Sequence, residues 1–379
     1  MSRPPLVRAT AVRRADGTAS VVLTLHHIVV DGWSLPIVAR DLFAEYAGTT
    51  GTVASTGEQA RYRDHLAWLA GTDTETSLQV WRAALAEVTE PSRVATEHGA
   101  RVLEPVRQDH LLTARETAGL ADVARRTGVT VNTLVQAAWA VVLRGLTGRD
   151  EALFGVTVAG RPAELPGAED LVGLFINTVP LAVRLDPAES LDALAARLGR
   201  EQSTLLDHHH VALGDIQRAL GMGELFDTLL SFENYPLDLA AITAAAQDAG
   251  LALTGARVRD GSHYAISVVV EPGERMRLRV RHQPQLVSDR TALAAGAELL
   301  ATLRAFAAAP ATPLGRLART GEAAPADRGR AQPAPAATTL PELFTAQAAR
   351  TPARLPCSPT AKPSPTAGST AAPTRWPPN

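Results

Sequence analysis

Leu25-His26-His27-Ile28-Val29-Val30-Asp31-Gly32-Trp33-Ser34 is the stretch from which the rest of the chain is read. Ahead of it, Ser20-Val21-Val22-Leu23-Thr24-Leu25 is β-branched and apolar, the composition of a strand. Behind it, Leu35, Val38, Leu42, Phe43 and Tyr46 recur at helical spacing. Two adjacent imidazoles therefore stand where a strand ends and a turn begins. A strand end can hold an imidazole rigidly, as a general base requires. Asp31 can order the turn by accepting backbone or guanidinium hydrogen bonds. Gly32 is expected to take a backbone angle that other residues resist. On chemistry alone, the pair with its nearby Asp31 reads as acid–base machinery, a structural turn or a metal site. The metal reading lacks a third ligand at sensible spacing.

Outward from this stretch, Pro5 to Val12 and Ala19 to Leu25 flank Asp16-Gly17, a hairpin signal. Residues 57–85 read as a helical pair in which Tyr62 and Trp68 are packing residues. A linker is expected over 87–105. Thr113 with Glu116 three residues on predicts a capped helix from Ala114 to Arg126, ended by Gly128, and a second helix follows from Val131 to Leu146. Strands are expected at 152–158, 251–258, 264–271 and 275–282, and helices at 190–206, 215–220 and 291–308. His208-His209-His210 closes one of these helices. Adjacent helical residues point in different directions, so a solvated helix end is expected there and not a metal site.

The 379 residues are 46% hydrophobic and 20% charged, with a net charge of −2. That is ample for a packed core. The balance gives no reason to expect nucleic acid or an anionic membrane as partner. No membrane span or apolar signal-peptide core is evident in the sequence. The only cysteine is Cys357, which rules out an intrachain disulfide framework and suits a cytoplasmic protein.

HHIVVDGWS closely resembles the HHxxxDG signature of condensation domains of nonribosomal peptide synthetases, members of the chloramphenicol-acetyltransferase-like superfamily. Further segments resemble the same family in the same order. Tyr62 to Trp68 resembles YxDYAxW, and Val172 to Thr178 matches VGxFxNT. Leu225 to Pro236 (LFDTLLSFENYP) resembles a later strand. The resemblance runs from near Pro5 to about Leu314. It implies an α/β fold, a two-lobed chloramphenicol-acetyltransferase-like sandwich. It also implies amide formation between an upstream carrier-bound acyl or peptidyl thioester and a downstream carrier-bound aminoacyl acceptor. Both substrates would ride on phosphopantetheine arms, with no cofactor bound to the domain itself. The implied partners are upstream and downstream peptidyl carrier proteins and an adenylation domain.

The resemblance implies a catalytic set of His27, His26, Asp31 and Gly32, with His27 at the amide-forming centre and His26 in support. Asp31 is expected to be structural, paired with Arg161. Trp33, Ser34, Arg161, Asn177 and Thr178 are expected to line or shape the substrate tunnel, although Asn177 can equally satisfy backbone groups at a bulge. Heterocyclising relatives carry an aspartate pattern in place of the histidine pair.

In such domains the HHxxxDG segment comes late in the first lobe, whereas here it begins at residue 26. Residues 1–105 are therefore expected to be the C-terminal part of an incomplete first lobe, and 106–314 a complete second lobe. A linker follows at 315–337. Residues 338–354 resemble the opening of an adenylation domain. Residues 355–379 are Pro/Ser/Thr/Ala-rich and expected to be disordered, as a natural tail or a shifted reading frame of the adenylation domain. The alternatives to a condensing enzyme are a non-catalytic fragment and a stand-alone HxxxDG acyltransferase.

Overall fold

The computed structural model describes residues 5–48, 61–95, 105–162, 164–234, 239–248, 250–255 and 261–317. All of them fall in the unit spanning Met1–Arg330. The expected adenylation-like opening and tail lie outside the described residues, as does most of the expected linker before them.

The chain opens as an antiparallel hairpin of β1 (Val7–Arg13) and β2 (Ala19–Leu25), with Val7 opposite Leu25. The Asp16-Gly17 turn forms as expected: Gly17 has φ 85°, and the Asp16 carboxylate accepts from Thr18 N at 2.9 Å. Among the described residues no further strand pairs with this hairpin. Val7 and Val12 are each 50% exposed and Val21 60%. A 3₁₀ turn (His27–Val29) leads into α1 (Ser34–Gly48), and α2 (Tyr62–Ala70) and α3 (Thr74–Ala84) follow.

The part expected to form the second lobe, residues 106–314, is built on a six-stranded sheet. Its elements in chain order are β3 (Val106–Leu111), α4 (Ala114–Thr127), α5 (Val131–Thr147), β4 (Glu151–Val158), β5 (Asn177–Arg184), α6 (Leu191–Ser203), α7 (Leu213–Leu220), β6 (Thr228–Phe232), α8 (Leu239–Asp248), β7 (Ile266–Glu271), β8 (Arg277–His282) and α9 (Asp289–Ala308). The strand order is β3-β8-β7-β6-β4-β5. The β4–β6 and β6–β7 pairs are parallel and the remainder antiparallel. α5 lies on β4 and α9 on β3 and β8, and between them they bury Trp139, Phe154 and Phe306. The opposite face, carrying Thr178, Thr157, Ser231, Ser267 and Arg279, forms part of the wall of a groove. Strand alternation separates the two sets. By length and composition α9 could cross a membrane, but here its inner face, including Leu299, Leu303 and Phe306, is core.

Helix ends follow local chemistry. Thr113 and Glu116 form the expected capping box, with Thr113 N donating to Glu116 Oε2 at 2.7 Å, and Gly128 closes α4 at φ 69°. Three expectations change. The expected linker is partly structure: Ser92 N donates to Leu225 O at 2.9 Å, and the Val94 and Ala95 amides donate to Asp227. The segment up to Ala95 thus runs beside the entry to β6. The expected strand at 251–258 does not form over Leu251–Gly255, and residues 256–258 lie outside the described set. Instead α8 precedes that segment and packs on α1. β3 was not anticipated and forms the sheet edge.

Gly155 in β4 has no room for a side chain, because a Cβ there would lie 2.4 Å from Phe226 Cε2. Phe226 is itself buried among core side chains. Gly155→Ala is expected to destabilise the fold by about 1–3 kcal/mol, measured as a lower urea midpoint. An unchanged midpoint would show that Phe226 repacks freely.

Candidate active site

The motif leaves β2 at Leu25. His26 keeps the extended backbone, and its N donates to Leu6 O at 2.8 Å. Its Nδ1 accepts from Ile28 N at 3.1 Å, so His26 caps the following 3₁₀ turn. An accepting Nδ1 places the proton of the neutral ring on Nε2. His27 starts the turn, is exposed, and lines the groove. Gly32 is not among the glycines held at positive φ, so the expected special backbone angle is absent there. Hydrogen bonds from Asp31 shape the turn instead.

Asp31 is 1% exposed. Its Oδ1 accepts from Ser34 N at 2.9 Å, Ser34 Oγ at 2.7 Å and Arg161 Nη2 at 3.4 Å. Its Oδ2 accepts from Phe175 N at 3.0 Å and Ile176 N at 3.3 Å. Its two oxygens are thereby taken up in bonds that tie the turn to the loop before β5. Arg161 donates through Nη1 to the carbonyls of Ala168 and Leu171, and its guanidinium lies 4.1 Å from the Phe175 ring centre. Burial lowers the Arg161 pKa, against the pull of Asp31. Ser34 is fully buried, so of the two parts expected of it, lining or shaping, it can take only the second. Its Oγ lies 3.0 Å from Gly173 O and accepts from Gly173 N at 3.1 Å.

Trp33 and Thr178 line the groove with His27. Asn177 turns away to a structural task, since its Nδ2 donates to His209 O at 2.8 Å and Val211 O at 2.7 Å. The three histidines are not the expected solvated helix end. α6 stops at Ser203, a 3₁₀ turn follows, and the rings face α3 and the groove. His208 Nδ1 lies 3.0 Å from Ser77 Oγ, and Trp81 Nε1 donates to His208 O at 3.0 Å. The His210 ring meets Trp68 edge-on, with centroids 6.1 Å apart. Among the described residues no group of three potential ligands could hold a metal ion. Tyr62, expected only to pack, donates its hydroxyl to Leu174 O at 2.7 Å. The YxDYAxW match marked the position, but nothing in it shows this reach across 112 residues.

Asp31→Ala removes the carboxylate beside the buried Arg161 guanidinium and the acceptor of the Phe175 and Ile176 amides, a loss of about 3–5 kcal/mol. Asp31→Asn keeps the shape and one acceptor oxygen. The alanine variant is expected to melt well below the asparagine variant, and equal Tm values would remove Asp31 from the fold's support. Burial, reinforced by neighbouring His208, lowers the His209 pKa to about 4. The unfolded chain therefore binds the proton first, and this contribution to stability, present above about pH 6.5, is lost as pH falls towards 4. His209→Gln is expected to flatten the pH dependence of Tm in that window. A profile identical to wild type would show His209 to be solvated.

A profile of the condensation-domain family matches residues 1–326. The chain is 35% identical over 301 residues to chondramide synthase cmdD of Chondromyces crocatus, covering 77% of this chain and 8% of the synthase. It is also 32% identical over 283 residues to vanchrobactin synthetase VabF of Vibrio anguillarum, covering 74% of this chain and 10% of that synthetase. The chain thus spans a small fraction of these relatives. Among solved structures, the first condensation domain of the calcium-dependent antibiotic synthetase, in complex with a substrate analogue, superposes with a TM-score of 0.65 at 21% identity, over 83% of this chain and 70% of that one. The X-domain from teicoplanin biosynthesis superposes with a TM-score of 0.67 at 18% identity, over 83% of this chain and 75% of that one. At such identities the likeness concerns the fold alone. The profile match, together with the synthetase relatives, shows that the chain belongs to the condensation-domain family of nonribosomal peptide synthetases.

Proposed function

We propose that this chain forms an amide bond between an upstream carrier-bound acyl or peptidyl thioester and a downstream carrier-bound aminoacyl acceptor. The observation that carries the proposal is His27, exposed to the groove on a turn whose ends are tied down by His26 and Asp31. The groove is open and runs from His27 along the sheet face that carries Thr157, Thr178 and Ser231, a shape that suits extended chains better than a compact ligand. In the proposed reaction the acceptor amine attacks the thioester carbonyl carbon. His27 takes the amine proton as the C–N bond forms and returns it to the departing sulfur as the C–S bond breaks, leaving amide, free thiol and a neutral imidazole. The substrates arrive on phosphopantetheine arms, and the domain itself contributes no resident cofactor. Carrier proteins and an adenylation domain are the proposed partners, the latter supported by the resemblance at 338–354. Cytoplasmic placement is part of the proposal and is supported by the single cysteine.

The test supplies the chain with loaded carriers on both sides and follows the product on the downstream carrier by intact mass. Amide product that falls about 10²–10⁴-fold in His27→Ala, with an unchanged Tm, is the expected outcome. Wild-type rates from His27→Ala would remove His27 from the mechanism. No product from the unmodified chain would favour the non-catalytic reading.

A further inference from the structure

The wall of the groove beside His27 includes Leu174 and Ile176, which belong to the loop before β5. That loop is gripped from several sides. Asp31 takes the Phe175 and Ile176 amides, and Ser34 meets both backbone groups of Gly173. The carbonyl of Leu174 is held by Tyr62, whose hydroxyl donates to it at 2.7 Å. The Tyr62 ring lies directly over Gly173, where a Cβ would come within 2.2 Å of Tyr62 Cδ2. The same ring meets Phe175 edge-on, with centroids 5.3 Å apart, and Arg161 covers Phe175. Tyr62 itself does not line the groove. It sits at the start of α2, where Arg61 N donates to Asp64 Oδ2 at 2.7 Å and steadies the first turn. Burial raises the phenol pKa, so the hydroxyl keeps its proton at neutral pH.

We infer that Tyr62 is a positioning residue for the amide-forming centre: it acts through the Leu174 carbonyl to hold the groove wall that faces the substrates beside His27. The inference rests on the reaction proposed above. Only one atom of Tyr62 is needed for this task. Without the hydroxyl, the ring still fills the space over Gly173, but the Leu174 carbonyl loses its partner and the wall loosens. Reacting groups misplaced by a fraction of an ångström then lose rate without losing affinity.

Tyr62→Phe tests this, with loaded carriers on both sides of the chain. The expected result is a kcat lower by about tenfold, with KM for the acceptor carrier within about twofold of wild type. Tm should stay near wild type, and amide hydrogen exchange should quicken at Leu174, Phe175 and Ile176. Wild-type kcat with unchanged exchange would overturn the inference. A Tm drop matching that of Tyr62→Ala, with exchange raised throughout the domain, would show a merely structural role and also overturn it. If neither wild type nor variant forms amide, the proposed reaction fails on its own. The exchange measurement then decides separately whether Tyr62 holds the segment.

Discussion

The site depends on one buried negative charge. A carboxylate removed from water costs several kcal/mol unless donors replace the lost solvent. Asp31 has five donors, from Ser34, Arg161, Phe175 and Ile176. Three of them lie 130 to 145 residues further along the chain. The charge therefore does more than shape its own turn. It joins the end of the first hairpin to the loop that enters β5, and it does so only when both are in place. A histidine that begins this turn inherits a fixed position relative to the second lobe.

Much of the site was legible, but in two different ways. The strand-to-turn placement of His26 and His27 follows from the local pattern of apolar and β-branched residues. The Asp31–Arg161 approach does not, since nothing in local spacing links positions 130 residues apart, and that expectation came from the family resemblance alone. Ser34, Asn177 and Tyr62 show where residue-type reasoning stops. Each carries a polar group suited to lining a tunnel or filling a core. Their partners are backbone carbonyls and amides, which sequence does not announce. Asn177 satisfies the His209 and Val211 carbonyls and so ties the histidine run to the start of β5.

The fold was legible where termini carry chemistry. The Thr113–Glu116 box, Gly128 and the Asp16-Gly17 turn mark real boundaries because each supplies a hydrogen bond or a conformation the backbone needs. It was illegible where the side chains carry little contrast. α8 reads Leu-Ala-Ala-Ile-Thr-Ala-Ala-Ala-Gln-Asp, and alanine on every side blurs a helical period. β3 reads Val-Arg-Gln-Asp-His-Leu, with no apolar alternation, because an edge strand is bonded on one side only and tolerates polar residues facing inward.

The position of β3 also bears on how the domain assembles. Among the described residues, Val106–Leu111 pairs as a strand only with Arg277–His282, with the Arg279–Asp109 ion pair spanning 170 residues. Local helices such as α4 and α5 can form as soon as they leave the ribosome. The strand that precedes them has no partner until nearly the whole lobe has been synthesised. Closing so long a loop is entropically slow, and it leaves an unpaired strand exposed to neighbouring chains in the meantime. At about 5–20 residues per second, that wait lasts on the order of ten seconds or more. The charges of Arg107 and Asp109 on this strand oppose sideways pairing with another copy during the interval.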